Sequence, residues 1–328
     1  MARVSTQRTA RRRRTATAAA LLAATTTAAL MAGCSGGHPQ DDSRGNPRTP
    51  APSQDAAGGS VLAVKIDNAP AARPHTGLDS ADVVYAEQVE GGLSRLMAVY
   101  ASRLPKAVGP VRSARESDLE LLGQFDDPLL AFSGAQHKLL PLIDKAPLTP
   151  ETPDEAPNAY FRGTDRSAPH NLYLRPGRLL SAAPGPGALT TGFRYGAAPE
   201  GGRPESSRTV RYPAARFTFS WSASRHRWLV SMDGTPAVTT AGERVAPATV
   251  VVQYVKVRPS AFRDFLGNNT PYTETVGSGK AQVLRDGRVY DVGWTRERAG
   301  DGTRFTTADG SQVGFARGQV WVVFAKAT

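Results

Sequence analysis

The sequence predicts an α+β fold built around a central β-hairpin and continued by a β-rich C-terminal part. Three observations carry this. The stretch from Ala81 to Arg115 holds two apolar runs joined at Gly91-Gly92, and glycine accepts the positive φ of a tight hairpin turn. Ser113-Ala114-Arg115-Glu116 has the spacing of a capping box, which predicts a helix through Leu119, Leu122 and Phe125. From about Arg208 onward, short strand-like runs are separated by Asp-Gly pairs, the punctuation of antiparallel hairpins.

A two-residue loop at Gly91-Gly92 sets Glu90 opposite Leu93, Glu87 opposite Leu96 and Tyr85 opposite Ala98. One face then carries Val83, Tyr85, Glu87, Val89, Leu96, Ala98 and Tyr100. The other carries Val84, Ala86, Gln88, Leu93, Arg95, Met97 and Val99. Both faces are largely apolar, so the hairpin is expected inside a sheet covered on two sides. Before it, Val61 to Asp67 reads as a buried first strand that stops at Pro70. After the predicted helix, Pro128 to Phe132 reads as a strand and Gln136 to Lys145 as a short helix. Residues 146–205 are dominated by Pro, Gly and polar side chains, around a more structured island at Ala168 to Leu174. The later strands are expected at 216–222, 227–232, 249–257, 280–284, 288–294 and 320–324, with turns at Asp233-Gly234, Asp286-Gly287 and Asp309-Gly310.

The front of the chain reads as an address. Residues 1–33 combine a basic leader (Arg3, Arg8, Arg11 to Arg14) with an uncharged Ala/Leu/Thr run ending in Leu30-Met31-Ala32-Gly33. Small residues before the sole cysteine, Cys34, resemble a bacterial lipoprotein signal, in which Cys34 becomes the lipidated first residue. Residues 34–59 lack large apolar side chains and read as a flexible tether with a reach on the order of 25–30 Å. The folded part divides into an N-terminal domain, 60–205, and a C-terminal β-rich domain, 206–328. The full chain carries +11, but residues 1–33 supply six arginines and no acid, leaving +5. That mild excess argues against nucleic acid as a partner, since a nucleic-acid footprint concentrates basic residues on one face.

Asp67-Asn68, Arg73-Pro74, Gly77-Leu78, Ala81-Asp82, Glu87, Glu90-Gly91-Gly92, Arg95 and Gly109-Pro110-Val111-Arg112-Ser113-Ala114-Arg115 together resemble the YerB-like lipoprotein family. Ala168 to Tyr173 and, near the end, Gly277 to Ala281, Asp286-Gly287, Trp294 and Gly318 to Trp321 match as well. The resemblance implies a layered α/β sandwich anchored to the membrane by lipid. It brings no substrate, because the family is a domain of unknown function with N-terminal and C-terminal parts.

Candidate chemistry gathers near the hairpin. Glu87 lies among apolar neighbours, where an ionised carboxylate is expensive without a partner. It is an acid with a raised pKa, a ligand contact in the binding set, or one half of an ion pair with an arginine such as Arg112. Glu90 and Arg95 stand near the turn. Arg112, Ser113 and Arg115 flank the predicted helix start, where backbone N–H groups favour an anion. The alternative is that Ser113 caps the helix while the arginines pair with nearby acids. Asn68, Arg73, His170 and Asn171 join the ligand-binding set from the motifs that carry the resemblance. Glu87, Glu90 and His170 are the weak catalytic candidates. Asp67, Asp82, Glu87, Glu90 and His170 follow no metal-ligand spacing, so neither metal nor cofactor is expected. No Gly-x-Ser-x-Gly elbow is present, and Gly277-Ser278-Gly279-Lys280 lacks the full phosphate-loop spacing. The four tryptophans are read as core or as a sugar-stacking platform.

The sequence therefore points to a lipid-anchored extracytoplasmic protein that binds an anionic or glycan ligand of the cell envelope. An envelope hydrolase using Glu87 or Glu90, or a scaffold for envelope proteins, are the alternatives, and the sequence names no protein partner.

Overall fold

The computed structural model describes residues 59–264 and 267–327. The leader, Cys34 and the tether up to residue 58 lie outside the described residues. Strand β1 (Leu62–Asp67) leads into the hairpin β2 (Val83–Gln88) and β3 (Ser94–Tyr100). Helix α1 (Glu116–Leu122), β4 (Leu129–Ala131), the single-turn helix α2 (Leu140–Ile143) and β5 (Thr149–Glu151) follow. The Pro/Gly-rich connection holds β6 (Tyr160–Arg162), β7 (Leu172–Leu174), β8 (Arg194–Tyr195) and β9 (Arg203–Pro204). Next come β10 (Ser207–Tyr212), β11 (Ala215–Ser222), β12 (Arg227–Met232) and β13 (Thr235–Pro236), which form a four-stranded antiparallel sheet. Strand β14 (Thr249–Val255) precedes a separate hairpin, β15 (Val257–Arg263) and β16 (Asn269–Thr273). The last strands are β17 (Gly277–Arg285), β18 (Arg288–Arg296), β19 (Arg304–Thr306), β20 (Gly314–Phe315) and β21 (Val320–Lys326).

The fold is mainly β, which corrects both the α+β class and the layered α/β sandwich. Among the described residues the α-helices are α1 and α2, seven and four residues long. The apolar spacing that suggested a longer α1 continues past Leu122, but the backbone leaves the helix at Gly123. Ser113 does not cap α1. The Asp118 carboxylate does, accepting the Arg115 N–H at 2.7 Å from inside the first turn. Leu122 and Phe125 remain buried without a longer helix.

The main sheet has eleven strands, in the order β19-β18-β17-β14-β21-β2-β3-β1-β4-β5, with β9 paired to β18. Strands β19, β18, β17, β14 and β21 make one side of it and β2, β3, β1, β4 and β5 the other, and the two sides meet where β21 lies parallel to both β14 and β2. The hairpin is covered on both faces. Val84, Ala86, Leu96 and Ala98 share a buried cluster with Phe217, Phe219, Trp228 and Val230 of the four-stranded sheet. Val83, Tyr85, Met97 and Val99 share another with Leu121, Leu122, Phe125 and Ile143. Trp228 and Trp321 are fully buried, and Trp321 meets Phe217 and Phe219 edge-on at 6.1 and 5.9 Å. Trp294 is buried as well, so these tryptophans build core and form no sugar platform.

The hairpin register differs by one residue from the expected one. Glu87 pairs with Arg95, Tyr85 with Met97 and Val83 with Val99. The connection is a wider loop closed by Val89 N–H to Leu93 O at 2.9 Å, with Gly91 and Gly92 at φ 66° and 70°. A one-residue slip changes which side chains share a face. Leu96, Ala98 and Tyr100 therefore leave the face of Glu87, and Arg95, Met97 and Val99 join it. Two of the Asp-Gly turns are tight hairpins as expected: Asp233, Gly234, Asp286 and Gly287 all have positive φ, between β12 and β13 and between β17 and β18, whereas at Asp309-Gly310 only the glycine does.

The two sheets are also joined by a hydroxyl. Tyr212 Oη lies 2.8 Å from Phe324 O and 3.1 Å from Ala86 O, deep in the interface. Tyr212→Phe removes this donor without changing shape and should cost about 1–2 kcal/mol. Urea denaturation is the check, with the slope expected to be unchanged and the midpoint lowered.

Candidate functional site

The corrected register places an acid or a base at the same end of three neighbouring strands. Asp67 on β1 and Glu87 on β2 both stand opposite Arg95 on β3. The segment from Pro110 to Arg115 crosses this end, held by Asp67 N–H to Pro110 O and Arg112 N–H to Lys65 O at 2.9 and 2.8 Å. It delivers Arg112, Ser113 and Arg115 over the strands and then turns into α1.

Beneath this segment lies a buried ionic cluster. Lys65 Nζ donates to Glu87 Oε1 and, at 2.6 Å, to Asp118 Oδ1. Ser117 Oγ donates to Glu87 Oε2 at 2.9 Å. All four residues are buried. Burial alone would raise the Glu87 pKa, but the charge and hydrogen bond of Lys65 outweigh it and hold the carboxyl below its ordinary value. Asp118 is pushed up to about 6, by burial and by the adjacent Glu87 charge against the pull of Lys65. The partner of Glu87 is thus Lys65, and Arg112 is not. Lys65 could have been found in the sequence, because a lysine inside the apolar run Val61-Leu62-Ala63-Val64-Lys65-Ile66 must bring its own counter-charge.

Glu90 forms the second pair. Arg115 Nε and Nη2 grip its two oxygens at 2.7 and 2.8 Å, and Thr270 Oγ1 donates to Oε1 at 2.6 Å. Burial opposes ionisation, yet Arg115 and Thr270 bring the Glu90 pKa down to about 2. Arg115 spends its remaining donor on the carbonyls of Ala114 and Ser113. It is a strut.

Asp67 organises the third group. Its Oδ2 accepts from His170 Nδ1 at 2.8 Å and lies 3.3 Å from Arg112 Nε. Its main-chain carbonyl accepts from His75 Nε2 at 2.9 Å, and burial lowers the His75 pKa to about 4, so that ring is neutral. Arg95 donates through Nη1 to Ser113 O at 2.9 Å, and no carboxylate pairs with it among the described residues. Burial, then the charges of Arg115 and Arg112, lower its pKa to about 10.

These residues open onto a cleft of about 430 Å³ lined by Asp67, Glu90, Leu93, Arg95, Arg112, Ser113, Arg115, His170 and Asp264. Of the expected ligand-binding set, Glu90, Arg95, Arg112, Ser113, Arg115 and His170 come together here. Glu87 sits in the ionic cluster instead. Asn68 is buried, donating to Ser94 Oγ and accepting from Arg73 Nε. Arg73 pairs with Asp233 at 2.8 Å, and Asn171 bonds Arg162 and the Gly163 carbonyl. Asp82, an expected metal candidate, caps the Ala101 and Ser102 N–H groups. No group of three or more His, Cys, Asp or Glu suited to a metal ion occurs among the described residues.

Two family models cover most of the chain: "Protein of unknown function (DUF3048) N-terminal domain" over residues 48–188 and the corresponding C-terminal domain over 208–322. The chain belongs to the DUF3048 family. It is similar to "Putative lipoprotein YerB" of Bacillus subtilis (strain 168), with 24% identity over 277 residues, 80% of either chain. The crystal structure of YerB from Bacillus subtilis aligns with a TM-score of 0.68 at 20% identity, covering 82% of this chain and 91% of that one. That likeness supports the mainly β DUF3048 fold described above. The cleft lies wholly within the N-terminal family segment except for Asp264 and Asn268, which the C-terminal segment contributes.

The ionic cluster yields a stability prediction. Lys65→Met leaves Glu87 and Asp118 buried without a cation and should cost about 3–5 kcal/mol at pH 7. Both carboxyls then have folded pKa values above their unfolded ones. Stability is consequently retained below the unfolded carboxyl range and lost as pH rises through the folded values. Chemical denaturation at pH 5 and pH 7 should show the larger loss at pH 7.

Proposed function

We propose that this DUF3048 protein is a lipid-anchored extracytoplasmic protein that binds an anionic cell-envelope ligand in the cleft between the central hairpin and the Arg112–Arg115 segment. The observation that carries the reading is Arg95: a half-buried guanidinium that lines the cleft, bonds one carbonyl and forms no ion pair with a carboxylate among the described residues. A cation partly withdrawn from water and not gripped by a carboxylate has donors to spare, and a bound anion satisfies them. The anchoring part rests on the lipoprotein-like segment ending at Cys34 and on the printed name of the Bacillus subtilis relative. Among the described residues no helix is long and apolar enough to cross a membrane.

A hydrolase working through Glu87 or Glu90 finds less support. Glu87 does not line the cleft, and Glu90 is held ionised by Arg115, so neither has a proton to donate to a substrate near neutral pH.

The test is a thermal-shift screen of the protein against muropeptides and anionic glycan polymers. A ligand at ~100 times its dissociation constant should stabilise the wild type by roughly 2.7 kcal/mol. Arg95→Gln should abolish the shift, whereas Arg73→Gln, away from the cleft, should keep it. Loss of the shift in both variants, or in neither, contradicts the assignment of the site. For the anchor, Cys34→Ser should move the protein from the membrane fraction to the soluble fraction.

A further inference from the structure

Resting on that reading, we infer that the anion bound in the cleft is a phosphate ester rather than a carboxylate, held by Arg95, Arg112 and His170 with the Ser113 N–H. The protein itself shows what a carboxylate needs at this place. Glu90 is satisfied by one side-on guanidinium, Arg115, and one hydroxyl, Thr270. A two-oxygen anion matches a single planar fork. The donors that remain exceed that requirement and come from three separate segments.

Arg95 engages only Nη1, with Ser113 O. Arg112 faces Asp67 through Nε, and its two terminal nitrogens meet no acceptor among the described residues. Ser113 N–H has no backbone partner among the described residues, whereas its neighbours Arg112 and Ala114 donate to Lys65 O and Gly134 O. His170 and Arg112 converge on the same oxygen, Asp67 Oδ2, so the imidazole and the guanidinium are held side by side. Such a set of donors, from three directions, fits an anion with three outward oxygens. The α1 N-terminus takes no part, because Asp118 already occupies its amide.

The imidazole adds a chemical distinction. Asp67 accepts the proton on Nδ1, which leaves Nε2 as the free ring nitrogen. A phosphate monoester near neutral pH exists partly as P–OH, since its second ionisation lies near pH ~6, so it can accept from Nε2 or donate to it. A carboxylate can only accept. Of the acids bordering the cleft, Glu90 is paired with Arg115 and Asp67 with Arg112 and His170, while Asp264 receives the Asn268 N–H and Nδ2 at 2.8 and 2.9 Å. Leu93, 39% exposed, gives the cleft wall an apolar surface for the organic part of an ester.

Calorimetric titration with sn-glycerol 3-phosphate and with glycerate, which presents a carboxylate on a similar small polyol, decides the matter. The phosphate should bind at least about tenfold more tightly, and Arg112→Gln and His170→Gln should each weaken it about tenfold or more with the melting temperature preserved. Equal or tighter binding of glycerate, still dependent on Arg95, overturns the phosphate assignment and leaves the anion site standing. Binding of neither, by a protein that melts cooperatively, removes both. Dihexanoyl phosphatidylglycerol, with dihexanoyl phosphatidylcholine as control, separates the two sources of a phosphate ester. Preference for phosphatidylglycerol over glycerol 3-phosphate, lost in Arg112→Gln, assigns a lipid headgroup. The reverse preference assigns a soluble or polymeric phosphate.

Discussion

A single buried ammonium group ties the N-terminal half of this protein together. Lys65 sits on a central strand and reaches one acid on the neighbouring hairpin, Glu87, and another on the helix above, Asp118. Each carboxylate performs a second task with its other oxygen: Glu87 accepts from Ser117, and Asp118 caps α1 through the Arg115 N–H. Strand, hairpin, helix and the start of the Arg115 side chain are thereby set relative to one charge. In so desolvated a place the arrangement is worth little as net stability, but breaking it is severe, which makes it a device of specificity.

The cleft inherits its shape from that arrangement. Arg115 leaves the α1 cap and closes on Glu90, and this pair is tied to the β15–β16 hairpin through Thr270. The same hairpin is held to α1 by Ser260 on Glu116 and Tyr272 on Glu120. With these partners fully engaged, the unspent polar groups of the cleft are those of Arg95, Arg112 and His170. The division between struts and free donors follows from counting oxygens and nitrogens, residue by residue.

Much of the strand content was legible in the sequence, because alternation and Asp-Gly turns are local signals. The runs ending at Asp67, Met232, Arg285 and Lys326 fall close to their expected places. The hairpin register was not legible, since the Gly-Gly pair is compatible with a two-residue turn or a wider loop. The choice is made by distant contacts: Gly92 O accepts the Ala214 N–H, and a Cβ on Gly92 would stand 2.5 Å from Pro213. The fold class failed for a related reason, as a capping motif and a few apolar residues mark a helix start but not its length. Of the site, the motif arginines and His170 were legible as a group. Their division of labour was not, because Lys65 and Asp118 decide it from positions that only the folded chain brings near.

The placement of β21 has a consequence for biogenesis. Residues 320–326 slot between β14 and β2, parallel to both, and thereby join strands more than 150 positions apart in sequence. Until that segment leaves the ribosome, β2 presents an unpaired main-chain edge in the middle of the future sheet. The N-terminal half cannot seal itself during synthesis. Its edge stays open until β21 arrives, so the sheet is closed by a segment made long after its neighbour β2.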